Sequence, residues 1–137
     1  MIFKLKFSLN KKKKNKDNKM ASVVKKNFST PDDTMKPAKA EVQVCNLGDV
    51  AAAKLTLQPG WSWSECIKPS VGGDSCQKRH VGTIVSGSMG VKHDDGTEQV
   101  FTAGDVYLIE PGHDGWTVGN EPCVAHEFNS TWTQDLK

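Results

Sequence analysis

Between Val42 and Phe128 the sequence is cut into nine short runs, each apolar or alternating, and this punctuation limits the fold more than any other feature. The runs are Val42–Leu47, Ala51–Leu57, Trp61–Ile67, His80–Val85, Met89–His93, Gln99–Thr102, Val106–Ile109, Trp116–Val118 and Cys123–Phe128. Turn-forming residues separate them: Pro59-Gly60, Gly72-Gly73, Ser86-Gly87, Asp94-Asp95-Gly96, Ala103-Gly104-Asp105, Pro111-Gly112 and Gly119-Asn120. Short strands recurring at about 8–12-residue spacing form a β-sandwich or barrel. After Pro37 no segment carries the 3.6-residue period of an amphipathic helix, and helix-permissive Ala51-Ala52-Ala53 sits among strand formers. The expectation is an all-β fold. Asp95-Gly96, flanked by strand-like runs, predicts a tight hairpin whose turn needs positive φ.

Length and charge divide the chain. Its 137 residues amount to one domain, and no apolar run approaches a membrane span. Ten of the 18 basic residues fall within residues 1–27 beside a single acid, Asp17. Residues 28–137 keep eight bases and 15 acids, a net of −7. An acidic body is a poor partner for a phosphate backbone, which argues against nucleic-acid binding by the domain. Residues 1–35 are read as a disordered, Lys-rich basic tail and 36–137 as the domain. The start, with Phe3, Leu5, Phe7 and Leu9 among lysines, fits a secretory signal poorly and lacks the Arg and 3.6 period of a mitochondrial presequence. A cytoplasmic protein is expected, with organelle targeting by residues 1–20 left open. Four cysteines, Cys45, Cys66, Cys76 and Cys123, show no Cys-x-x-Cys spacing and are expected to be reduced thiols.

Residues 48–128 resemble the cupin superfamily. In that family's second motif a Gly is followed by five residues, Pro-x-Gly, two residues and a metal-binding His. Here Gly104 and Gly112 fall in register, Glu110 stands at the Pro position and Gly115 at the His position. The string Gly112-His113-Asp114-Gly115-Trp116 also resembles a subgroup of small single-domain cupins. For the first motif, counting back from Gly87 puts His80 at the Glu position, Cys76 at the second His and Asp74 at the first. Counting forward from Gly60 instead puts Cys66 and Lys68 at the two His positions. Neither register retains His-x-His. The resemblance implies a double-stranded β-helix, or jelly-roll barrel, and pairing as a homodimer.

Several residues could carry chemistry in such a barrel. Cys76 and His80 differ by four and would share a face on one strand; with His113, and Cys66 as an alternative, they form a candidate set for one divalent transition metal, Zn, Fe, Mn or Ni. Equally, the histidines could be hydrogen-bonded pocket residues and Cys76 a buried thiol. Trp61 and Trp63, alike in parity on an expected strand, and Trp116 are candidate walls for a small ligand, with His80 and His113 as polar handles. His113, its ring held by Asp114, and Glu110 are candidate acid/base groups. His93 is expected to face solvent.

Three functions follow. One is a small-molecule-binding barrel without catalysis. The second, implied by the resemblance, is a metal-dependent oxygenase, isomerase or lyase on a small organic substrate, using Cys76, His80 and His113. The third is a structural or interaction domain. No nucleotide-binding glycine motif, nucleophile elbow or paired-carboxylate spacing appears.

Overall fold

The computed structural model describes residues 21–128; expectations for residues 1–20 and 129–137 lie outside it. Nine strands alternate with turns: β1 (Asp33–Met35), β2 (Ala40–Asn46), β3 (Ala51–Leu57), β4 (His80–Ser86), β5 (Ser88–His93), β6 (Glu98–Thr102), β7 (Val106–Ile109), β8 (His113–Val118) and β9 (Cys123–Phe128). All pairings are antiparallel. One sheet runs in the order β1-β2-β3-β9-β4-β7 and the other β6-β5-β8. Their inner faces meet over a core that includes Val42, Val44, Leu55, Leu57, Ile84 and Met89. The all-β reading stands. No helix among the described residues is long and apolar enough to cross a membrane.

Two differences from the sequence reading bear on the site. Residues 61–67 do not form a strand: Trp63–Cys66 is a short helix, α1, followed by α2 at Lys68–Val71. The reason is local. Ser62 caps α1, its Oγ accepting from the Glu65 amide at 3.2 Å, and Pro69 favours a helical first turn in α2. Ser62-Trp63-Ser64-Glu65 has the capping-box spacing, a signal that outweighs apolar alternation over so few residues. The ordered body also begins before residue 36, because β1 pairs with β2 and buries Met35.

The Asp95-Gly96 hairpin forms as expected. Gly96 takes φ 96°, and its amide donates to the His93 carbonyl at 2.9 Å. His93 does not simply face solvent. Its Nδ1 accepts from the Asp95 amide at 3.0 Å, and its Nε2–H donates to the Pro111 carbonyl at 2.8 Å. The β5–β6 turn is thereby tied to the segment that enters β8.

Candidate metal centre

A cavity of about 600 Å³ lies inside the barrel. Leu55 and Leu57 of β3, Met89 and Val91 of β5, and Ile109 of β7 line it together with Trp61, Trp63, Cys76, His80, His113 and Glu127. Cys76, His80 and His113 are buried, and one ligand atom from each lies within 4.8 Å of the others.

Backbone geometry brings them together. Cys76 is not on a strand with His80; it forms an isolated antiparallel bridge to His113. Its amide donates to the His113 carbonyl at 2.7 Å, and its carbonyl accepts from the Gly112 amide at 2.7 Å. Ser75 anchors the same segment, its hydroxyl donating to Asp94 Oδ2 at 2.7 Å. His80 opens β4, and inward parity along β8 turns His113 into the barrel.

Each imidazole is oriented by a second contact. His80 Nδ1–H donates to Glu127 Oε1 at 2.9 Å, while Tyr107 donates its hydroxyl to Glu127 Oε2 at 2.7 Å. His113 Nδ1–H donates to the Glu110 carbonyl at 2.8 Å. Both rings therefore keep Nε2 for the centre, and His80 Nε2 stands 3.9 Å from Cys76 Sγ. The rings meet edge to face, with centroids 5.2 Å apart. Gly82 makes room for this network. A Cβ there would lie 2.9 Å from both Glu127 Cγ and the Tyr107 hydroxyl, and would collide with the His126 carbonyl.

The electrostatics follow from burial and proximity. Burial opposes ionisation of Cys76, but hydrogen bonds and charge from His113 and His80 outweigh it and lower the thiol pKa to about 6. Burial likewise disfavours a charged His80, yet the Glu127 carboxylate, assisted by Cys76, raises the imidazole pKa to about 10. Burial and the charge of Glu127 push the Tyr107 phenol far above its usual value, so it remains a donor.

The donor set fits a first-row divalent metal. Sulfur at about 2.3 Å and nitrogen at about 2.0–2.1 Å from a tetrahedral ion stand roughly 3.5 Å apart. A contraction of roughly 1 Å from the spacings here reaches that geometry. Cys76, His80 and His113 would hold such an ion, and both histidines already have the second hydrogen bond that metal-bound imidazoles need.

Other sequence candidates fall elsewhere. Trp61 and Trp63 line the cavity, although from a turn and a helix; Trp116 does not, because its ring lies across Gly90 on the opposite face of β8. The Glu110 side chain is exposed and pairs with Arg79 at 3.1 Å, so only its backbone carbonyl serves the site. Asp114 does not hold the His113 ring. Its Oδ1 accepts from the Ser64 and Gly115 amides at 3.2 and 2.8 Å. Cys66 packs at the edge of the core, outside the cluster, and the His126 ring lies tilted against Phe28 with centroids 5.0 Å apart. All four cysteines are free thiols. Glu127 and Tyr107 are additions that the sequence reading missed. The available signal was parity: Cys123, Ala125 and Glu127 form the buried row of β9, and an acid in such a row needs a partner.

No protein-family model matches this chain, and no curated protein matches it. Solved structures do. A Rhizobium leguminosarum protein of unknown function is similar at TM-score 0.56 and 14% identity, covering 79% of this chain and 97% of that one. KdgF from a Halomonas species follows at TM-score 0.51 and 14% identity, covering 70% and 85%. The oxalate decarboxylase of Lactobacillus farciminis, solved as a formate complex, matches at TM-score 0.50 and 20% identity over 70% of this chain. This chain spans only 30% of that decarboxylase. At these identities the likeness speaks for the fold alone, and that fold agrees with the jelly-roll barrel that the resemblance in the sequence implies.

Proposed function

We propose that this chain is a small-molecule-binding barrel built on a single metal centre, in which Cys76 Sγ, His80 Nε2 and His113 Nε2 hold one divalent first-row transition ion. The observation that carries the reading is the convergence of three buried donors within 4.8 Å on the wall of an apolar cavity. Apart from a metal, little explains why a core would gather a thiol and two imidazoles there, each ring already fixed by an outer acceptor. A bound ion would supply a Lewis-acid position facing the cavity. Glu127 then orients His80, Tyr107 orients Glu127, and the Glu110 carbonyl orients His113. Leu57, Trp61, Trp63, Met89 and Ile109 exclude water and receive the apolar part of a small organic molecule.

Elemental analysis of the untagged chain, purified without chelator, tests this directly. About one equivalent of one transition metal is expected, lost in Cys76→Ala and in His80→Ala. A content near zero, unchanged after incubation with Zn²⁺, Fe²⁺, Mn²⁺ and Ni²⁺, overturns it.

A second reading is favoured by one feature. Cys76, His80 and Glu127 form a thiol–imidazole–carboxylate row, and the Cys76 thiol ionises near neutral pH. Without metal this row would serve as an activated nucleophile. Alkylation by iodoacetamide separates the two. The nucleophile reading requires Cys76 to label faster than half-buried Cys66 in protein that takes up no metal, whereas a metal centre protects Cys76 once loaded.

A further inference from the structure

Three strand glycines, Gly82, Gly90 and Gly115, have ordinary backbone angles, so none is needed for a positive φ. Packing explains two of them. Gly82 lies under Glu127 and Tyr107, and Gly90 lies under the indole of Trp116, where a Cβ would collide with the ring. Gly115 is different. A Cβ there would meet only the Gly90 carbonyl at 3.6 Å, Val91 Cγ2 at 3.9 Å and Trp61 Cζ3 at 4.0 Å, which is ordinary contact.

Glycine weakens a strand interior, and it is often found there at a bulge, a tight bend, or where a ligand or another backbone approaches closely. Gly115 is buried, belongs to the inward row of β8 between His113 and Thr117, and lines the cavity. The missing side chain therefore leaves space inside the binding chamber, beside Trp61 and two residues from a donor of the metal centre.

We infer that Gly115 is the specificity-determining residue of the cavity and that the ligand is an aromatic carboxylate whose ring lies on the bare backbone of β8. The flat peptide surface at Gly115, together with the buried indoles of Trp61 and Trp63, suits a planar apolar body. Two residues of strand separate Gly115 from His113, roughly 7 Å, about the length over which a fused ring can carry its carboxylate to the centre. The head group rests on the metal reading; the slot over Gly115 does not.

The test uses the zinc-loaded full chain, with 2-naphthoate as probe and tryptophan fluorescence as readout. Wild type is expected to bind saturably and to bind hexanoate at least tenfold more weakly. Gly115→Ala should weaken 2-naphthoate about tenfold and Gly115→Val by more than about a hundredfold, a scale set by misfit of one or a few methyl groups. Zinc content should stay at one per chain, and the thermal midpoint of Gly115→Ala should be no lower than wild type. Unchanged affinity in Gly115→Ala overturns the inference even where Gly115→Val misfolds. So does equal binding of hexanoate. In chelator-treated protein 2-methylnaphthalene probes the slot alone. Binding that Gly115→Ala weakens, in a protein that never retains zinc, supports the slot while removing the metal-centre reading. Absence of binding by either naphthalene probe overturns the slot.

Discussion

Replacing Glu127 by Gln keeps the shape of the most buried acid in the barrel and removes only its charge. The carboxylate is 2% exposed and accepts from His80 Nδ1–H at 2.9 Å and from the Tyr107 hydroxyl at 2.7 Å. Gln can accept from His80 through its amide oxygen, and Tyr107 can reverse to accept from the amide nitrogen, so both contacts survive as neutral hydrogen bonds. Charge-assisted bonds contribute about 1.5–3 kcal/mol each and neutral ones about 0.5–1.5, so metal-free Glu127→Gln should lose about 2–3 kcal/mol. The loss depends on pH with a definite sign. Because the His80 pKa is raised from 6.5 to about 10 by Glu127, its contribution is complete below 6.5 and disappears as pH rises through about 10. Urea unfolding of the metal-free protein should therefore show the largest deficit at pH 6 and a much smaller one at pH 10. Cys76 does not cancel in the comparison with wild type, because His80 helps to lower its thiol pKa; its own contribution acts in the opposite direction and is lost as pH falls through about 6. Zinc affinity, measured by competition with a chromophoric chelator, should fall about 10–100-fold, the usual effect of losing an outer-sphere carboxylate. A deficit equal at both pH values, or zinc affinity equal to wild type, refutes the assignment of Glu127 as the group that charges and orients His80.

Further outcomes follow from the same geometry. The logarithm of zinc affinity should rise with slope about one per pH unit between about pH 7 and 9, where His80 must give up a proton to bind, read by chelator competition; a flat profile excludes His80 as a ligand. Gly82→Ala should destabilise the fold by about 1–3 kcal/mol in urea titration, because its Cβ overlaps the His126 carbonyl and presses on Glu127 and Tyr107. Glu110→Gln should leave metal content unchanged and stability within about 1 kcal/mol, since its side chain makes only an exposed pair with Arg79; loss of metal would return the carboxylate to the site.

Strand positions were legible because period-two alternation and glycine turns act locally and repeat. β4–β7 and β9 fall close to the runs read from sequence, whereas β8 begins three residues before its expected run, at His113; the Asp95-Gly96 hairpin needed nothing beyond its own residues. The failure at residues 61–67 was also local. Two tryptophans flanking Ser62 mimic alternation, while the cap at Ser62 and Pro69 decide for helix. Cys76, His80 and His113 could be listed as candidates from composition and motif register. Their convergence could not, because it depends on the bridge from Cys76 to His113 across loops of unpredictable path. Asp114 shows the limit most plainly. Adjacency to His113 suggested a partner, but neighbours along a strand face opposite ways, and the ring turned instead to the Glu110 carbonyl three residues back.

The two readings of the centre are linked through one proton. In the metal-free site charges at Cys76, His80 and Glu127 favour one another: His80 helps to lower the Cys76 thiol pKa to about 6, and Glu127 with Cys76 raises that of His80 to about 10. Burying such charges is costly unless each is paired, and here the His80 Nε2–H faces Cys76 while Nδ1–H faces Glu127. A divalent ion held by Cys76, His80 and His113 would require the Nε2 proton of His80 to leave, while the bond from Nδ1–H to Glu127 could remain. The proton would thus occupy the place of the metal between His80 and Cys76, with the donors drawing closer when the ion replaces it. That is why a thiol of lowered pKa, by itself the mark of a nucleophile, does not argue against a metal here. The same Glu127 that raises the affinity of His80 for a proton also strengthens it as a ligand, and only the competing ion decides which is bound.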